Sequence, residues 1–215
     1  MTLETNELIL RLAREVKPAP ARALEMRLVG GLAAGAAVAV IALFMTVGVR
    51  PDLGAATATA PLWMKIGYAS SIGMIAIAIA AHLARPESRP GQWYALLIAP
   101  VFLLAIMAAM QLSAHPSTAW RDLVFGMNAR ECVVRIVTFS APVFVGLIWA
   151  FRGLAPTRFR AAGAAAGLVA GAIGAMVYVF YCREVSASFV FSWYTLGMTL
   201  PAIGGALLGP RLLRW

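Results

Sequence analysis

Six stretches of nearly continuous apolar residues dominate the chain, at Leu28–Val49, Leu62–Ala84, Trp93–Leu112, Cys132–Phe151, Ala161–Tyr181 and Phe189–Leu208. Each is close to the roughly 20 residues that a helix needs to cross the hydrocarbon core of a bilayer. A helix satisfies its own backbone donors and acceptors, which lipid cannot do, so the pattern predicts six membrane-crossing helices. Pro100, Pro142 and Pro201 fall inside the third, fourth and sixth runs. In spanning helices proline is tolerated and usually marks a kink. The longest connection, Ser113–Glu131, holds 19 residues, too few for a catalytic domain. The expected fold class is all-α: a polytopic membrane bundle of six transmembrane helices over 28–215, preceded by a short cytoplasmic amphipathic segment over 1–27.

That amino-terminal segment has a period of its own. Leu8, Leu12 and Val16 recur at i, i+4 and i+8, with Leu3, Ile9 and Ala13 beside the stripe. Glu4, Glu7, Arg11, Arg14 and Glu15 occupy much of the remainder. An apolar face of this kind either lies on a membrane surface or docks in a partner's groove. Lys17-Pro18-Ala19-Pro20 then ends the helix and begins a stiff linker. The stretch is too long and too acidic for the leading region of a cleaved signal peptide, so the first apolar run is expected to stay as an anchor.

Composition agrees with a lipid-solvated chain. Hydrophobic residues make up 61% and charged residues 13%, against about 25% charged in a soluble domain. A net charge of +9 raises the question of nucleic acid, but the basic residues gather between the apolar runs, where anionic headgroups lie. No basic groove with interleaved aromatics can be traced, and direct nucleic-acid binding is not expected. The basic residues also set an orientation. Twelve of the 18 (Arg11, Arg14, Lys17, Arg22, Arg27, Arg85, Arg89, Arg152, Arg158, Arg160, Arg211, Arg214) fall on one side of a six-span arrangement. The other six are Arg50, Lys65, Arg121, Arg130, Arg135 and Arg183. The positive-inside rule places the richer side, with both termini, in the cytoplasm of a bacterial inner membrane. Lys65 and Arg135, just inside their runs, are expected to snorkel to the outer interface.

Small residues recur at helical spacing: Gly31 with Gly35, Gly163 with Gly167 and Gly171, Gly205 with Gly209. Such spacing lets helix backbones approach closely, either inside the bundle or across a homo-oligomer interface. The two cysteines carry the most chemical information. Cys132 opens the fourth run and Cys182 follows the fifth, so antiparallel neighbours bring both to the outer interface at similar depth. A disulfide is permitted in an oxidising periplasm if the Cα atoms lie within about 7 Å. Inert thiols or a purely structural staple fit the same positions. Arg130, Glu131 and Arg135 flank one thiol in sequence, Arg183 and Glu184 the other, and a nearby guanidinium favours reactive thiolate. A thiol oxidoreductase would call for a Cys-x-x-Cys pair, which is absent. Two thiolates alone make a poor zinc site, and no metal or cofactor is expected, although soft-metal attack on the pair remains open as a signal.

His82 and His115 belong to opposite sides of the membrane and cannot share a metal. Asp52, Glu87, Asp122, Glu131 and Glu184 sit in loops or at helix ends, not within a run where an ion relay would place a carboxylate. That counts against a small transporter. No nucleophile–base set or phosphate loop is present, so no enzymatic activity is expected. Trp93, Trp149 and Trp193 suit interfacial belt positions.

Several segments resemble the NrsF-type membrane anti-sigma factors of Gram-negative bacteria. They are Arg50-Pro51-Asp52-Leu53, the polar proline-punctuated tail, the late Cys182, Trp193-Tyr194-Thr195-Leu196-Gly197, and the closing Leu208-Gly209-Pro210-Arg211-Leu212-Leu213-Arg214-Trp215. The likeness runs in the same order along nearly the whole chain. One departure is Arg183-Glu184 after Cys182, where many relatives have Pro-Glu. The resemblance implies a six-span protein that holds an extracytoplasmic-function (ECF) sigma factor inactive at the membrane. It also implies release on periplasmic redox or heavy-metal stress through two cysteines, which fall here on Cys132 and Cys182. The sigma-contacting segment falls within 1–27, with Leu8, Ile9, Leu12 and Val16 as its docking face. A small transporter or a membrane thiol oxidoreductase is the competing expectation.

Overall fold

The computed structural model describes Glu7, Ile9, Leu12 and residues 23–84, 91–154 and 156–214. Seven principal helices account for most of them: α1 (Ala23–Thr46), α2 (Ala60–Leu83), α3 (Gly91–Leu96), α4 (Ile98–Ser113), α5 (Ala129–Arg152), α6 (Phe159–Val179) and α7 (Thr195–Leu212). No strand occurs among the described residues. The six apolar runs each coincide with helix, because in these segments the apolar residues are continuous and the breakers lie between them.

Five stretches are long and apolar enough to cross a membrane: Glu25–Thr46, Ala60–Leu83, Gly91–Ser113, Ser117–Arg152 and Phe159–Val179. The sixth run is helical too. It begins with one turn at Ala187–Phe189, widens into a π-helical turn at Val190–Tyr194 and continues as α7. Trp193, Tyr194, Thr195, Thr199 and the glycines dilute its hydropathy, and it does not count with the five by composition.

The prolines act differently from one another. The third run breaks at Leu97, between α3 and α4. Pro100 lacks an N–H, and its ring crowds the carbonyl four residues back, at Leu96. Leu97 N–H turns instead to the nearer Tyr94 carbonyl, 3.3 Å away. Pro142 and Pro201 lie inside continuous helices.

α6 is the axis of the bundle. It packs against α7, α5 and α2, while α5 carries α1 on its other side, and the α3–α4 pair lies at the periphery. Glycines make these approaches possible. A Cβ on Gly163 would strike the Gly205 carbonyl, and one on Gly167 the Pro201 carbonyl. A Cβ on Gly171 would lie 2.7 Å from the Met198 carbonyl oxygen, and one on Gly35 2.5 Å from the Val143 Cα. Gly31 meets Gly146 in the same way, and Gly209 meets Phe159. All the glycine positions marked by their spacing therefore pack within this chain, which leaves none of those faces for a homodimer.

Charge separates along the bundle. At one end Arg152 Nε donates to the Leu212 carbonyl at 2.7 Å, Arg27 lies over Gly153, and Arg158, Arg160 and Arg214 border one cleft. Arg50, Lys65 and Arg183 gather at the opposite end, with both cysteines.

Candidate functional site

The site is assembled at the end of α1. Gly48, with φ of 70°, takes the left-handed conformation that a Cβ disfavours, and its N–H reaches the Leu43 carbonyl at 2.8 Å. The helix stops there and the chain turns across the mouth of the bundle. Arg50 N–H then bonds the Phe180 carbonyl at 3.0 Å, which ties this turn to the end of α6. The Arg50 side chain does two jobs. Nε and NH2 grip both Asp52 carboxylate oxygens at 2.8 and 2.6 Å, and NH1 donates to the Cys182 carbonyl at 3.2 Å. The hydrogen bonds from Arg50 hold the Asp52 carboxyl down at about 2, and the same pairing raises Arg50. The Arg50-Pro51-Asp52 segment is thus a fork that points one guanidinium nitrogen at Cys182.

Lys65, in the second turn of α2, completes the arrangement. Its Nζ donates to the Cys182 carbonyl at 3.0 Å and approaches the Cys182 sulfur at 3.5 Å. The side chain is 1% exposed. The expectation that Lys65 snorkels to the interface is overturned: it turns inward because Cys182 supplies two acceptors that lipid lacks. Arg135 remains partly exposed and pairs with Glu131 at 3.4 Å, one helical turn away.

Cys132 and Cys182 are both buried and unbridged. Both sulfurs lie within electrostatic reach of the Tyr178 and Tyr194 phenols, whose rings are 6.0 Å apart. The Tyr194 hydroxyl is fully buried and approaches Cys182 without a well-formed hydrogen bond. Cys182 also borders a cavity of about 340 Å³, with Arg50, Asn128, Tyr178, Tyr181, Arg183 and Glu184 around it. Among the described residues, none of the sequence-adjacent charges hydrogen-bonds a thiol, although Arg183 and Glu184 share the cavity with Cys182. Glu184 accepts from Met127 N–H at 2.9 Å, beside Gly126 with its φ of 53°. The cations that reach Cys182 come from residues 50 and 65, far away in sequence. A lysine inside an otherwise apolar run was the available signal for one of them.

The 19-residue connection forms a lid beside this cluster. Its short helix Trp120–Phe125 is pinned by Trp193 Nε1 to the Val124 carbonyl at 2.7 Å and by Ser186 Oγ to the Leu123 carbonyl at 2.7 Å. Gln111 Oε1 accepts from Ser186 Oγ at 2.9 Å and from Ser188 N–H at 3.1 Å. The segment that contains the π-helical turn is thereby fastened to the ends of α4 and of the lid.

Of the expected docking face, Ile9 and Leu12 are helical and more than half exposed. Leu8 and Val16 lie outside the described residues, as does the Lys17–Pro20 linker. His82 and Trp93 have ring centroids 5.7 Å apart, and His115 Nδ1 lies 2.8 Å from the Gln111 carbonyl. These two histidines do not join the cysteine cluster.

Comparison with known proteins supplies the context for this geometry. The family model described as "NrsF: Negative regulator of sigma F" matches residues 12–215. A protein of Azospira oryzae named probable anti-sigma-F factor NrsF is 35% identical over 213 residues, covering 99% of this chain and all of the relative. The anti-sigma-F factor NrsF of Caulobacter vibrioides is 32% identical over 218 residues, again covering 99% of this chain and all of the relative. No solved structure matches the chain. With the match running from residue 12 through the cysteine cluster to the last helix, the chain belongs to the NrsF family of negative regulators of sigma F.

Proposed function

We propose that this protein is a membrane-bound anti-sigma factor that sequesters an ECF sigma factor in the cytoplasm and releases it when Cys132 and Cys182 react with a periplasmic oxidant or soft metal. The observation that carries the proposal is the end-to-end match to two proteins named as anti-sigma-F factors, at 35% and 32% identity. The helix across 187–212 serves as the sixth crossing, which puts both termini on the arginine-rich cytoplasmic side. Leu8, Ile9, Leu12 and Val16 form the face that docks on sigma, as amphipathic helices dock in apolar grooves.

The cysteine cluster sits where such a signal can be transmitted. Cys132 is in the first turn of α5 and Cys182 follows the end of α6, and these helices pack against each other along their length. A covalent change between the two thiols alters that packing, which α5 passes to α1 and hence to the amino-terminal segment. Reversing a 99:1 occupancy requires about 5.5 kcal/mol of preference for the released state. The proposal predicts that Leu8→Asp with Leu12→Asp abolishes sigma capture from co-expressing membranes, and that Cys132→Ser or Cys182→Ser strains fail to induce a sigma-dependent reporter under oxidant or cadmium stress. Unimpaired capture would remove the docking assignment, and normal induction in both strains would remove the sensor assignment.

Lys65 gives the thiol oxidoreductase reading its one supporting observation, since an ammonium 3.5 Å from sulfur suits turnover as well as sensing. The two separate on stoichiometry: a sensor reacts once per chain, whereas an oxidoreductase consumes substrate catalytically.

A further inference from the structure

Among the described residues Lys65 is the one charged side chain that is buried. An ammonium inside an apolar span is costly and calls for a named partner. Both of its acceptors belong to a single residue, the Cys182 carbonyl at 3.0 Å and the Cys182 sulfur at 3.5 Å. The Arg50 guanidinium holds the same carbonyl from the other side. Among the described residues no cation hydrogen-bonds Cys132, which lies beside the Tyr178 hydroxyl, has no exposed surface and does not border the cavity that Cys182 borders. The two thiols are therefore unequal.

A second feature points to an oxygen atom. The Tyr194 hydroxyl is buried against Cys182, and its contact there falls short of a well-formed hydrogen bond. A buried donor without a good acceptor is unfavourable, and in a native protein it calls for an explanation. A sulfur that gains an oxygen offers this donor a stronger acceptor than the thiol does. Tyr194 is also the last residue of the π-helical turn, the kind of local widening that recurs at functional sites.

We propose that Cys182 is the thiol that reacts first with a two-electron oxidant of the peroxide class, with Lys65 as its positioning residue and Cys132 as the resolving thiol. The proposal rests on the cysteine-sensor reading above. In the first step the Cys182 sulfur attacks one peroxide oxygen. An S–O bond forms, the O–O bond breaks, and the leaving hydroxide takes the thiol proton as water. Sulfur is oxidised by two electrons and the peroxide is reduced. Lys65 Nζ, 3.5 Å from the sulfur, holds it in place, while the Tyr194 hydroxyl donates to the new oxygen. In the second step the Cys132 thiol attacks the Cys182 sulfenic acid. The S–S bond forms, the S–O bond breaks, and the hydroxyl leaves with the Cys132 proton as water. The cavity rim carries both signs, Arg50 and Arg183 against Glu184, which suits a small neutral reagent.

The test uses the full chain in nanodiscs, hydrogen peroxide, a 1,3-dione that traps sulfenic acids, and peptide mass spectrometry. In the Cys132→Ser protein the trap marks Cys182. In the Cys182→Ser protein Cys132 is marked more slowly by about an order of magnitude or more. The unsubstituted chain gives the Cys132–Cys182 disulfide with little trapped adduct. Lys65→Met in the Cys132→Ser background slows marking of Cys182 by about tenfold, and Lys65→Arg restores part of the rate. Tyr194→Phe removes only the weak contact of the hydroxyl with Cys182, so it leaves thermal stability in place while lowering the yield of trapped adduct. Equal or faster marking of Cys132 would overturn the order of reaction. An unchanged rate in Lys65→Met protein of normal stability would overturn the role of Lys65. If Lys65→Met does not fold, Tyr194→Phe decides: an unchanged adduct yield counts against the proposal. The sensor reading is separable, because it fails in cells if sigma release ignores both cysteines while the chemistry on the purified chain proceeds as described.

Discussion

Cys182 is held by groups that approach from two other parts of the chain: Arg50 from the turn after α1 and Lys65 from α2. The Arg50–Asp52 fork is the part of this arrangement that reaches solvent, and its electrostatics are directly measurable. The Arg50 hydrogen bonds hold Asp52 at about 2, below its ordinary 3.8. A carboxyl lowered in the folded state contributes stability in full above its ordinary value, and that contribution fades as the pH falls through about 2. Carboxyl-labelled aspartate followed by NMR is expected to show Asp52 titrating near 2 in the unsubstituted chain and returning toward 3.8 in Arg50→Gln. A single ordinary titration in both proteins would show that the fork is not formed in solution. At this scale the sequence was only partly legible. The two cysteines and their common depth follow from where the apolar runs begin and end. The partners do not, because contacts between residues 50, 65 and 182 depend on which helices are neighbours. Lys65 shows the cost of reading one run alone: at the end of an isolated helix a lysine snorkels, and beside Cys182 it turns inward.

Helix pairing is governed by the glycine faces. α6 meets α7 through Gly163, Gly167, Gly205 and Gly209, with backbone close to backbone. Lipid offers no hydrophobic drive for helix association, so this close packing is itself a main source of cohesion. Gly167→Leu is predicted to lower the thermal midpoint of the detergent-solubilised protein, consistent with an overpacking cost of about 1–3 kcal/mol or more. Gly204→Leu, where a Cβ meets nothing within 4 Å, serves as the matched control and is expected to leave the midpoint unchanged. Equal effects from the two would mean that α6 and α7 do not approach as described. The helices themselves were legible from the apolar runs, with ends that fall within about five residues of the observed ones. The break at Leu97 and the π-helical turn were not, since Pro100 interrupts its run whereas Pro142 and Pro201 are carried through. That difference lies in neighbouring packing, which the periodicity of one segment does not encode.

Across the whole molecule, the cysteine cluster and the start of α1 sit at opposite ends of a bundle whose helices pack directly on one another. In the proposed function, a sensor at the cysteines and an effector before α1 need a rigid connection. The α6–α5–α1 packing provides one, running from the end that carries Cys182 to the helix that follows the tail. In the proposed function the tail captures sigma while the bundle decides when to let go. Its most direct test is a membrane pull-down with co-expressed sigma factor, comparing the full chain with one that lacks residues 1–27. Capture by the full chain and none by the truncated one is expected when both reach the membrane in equal amounts. Equal capture by both would place the sigma contact elsewhere on the bundle, and capture by neither would contradict the anti-sigma assignment itself.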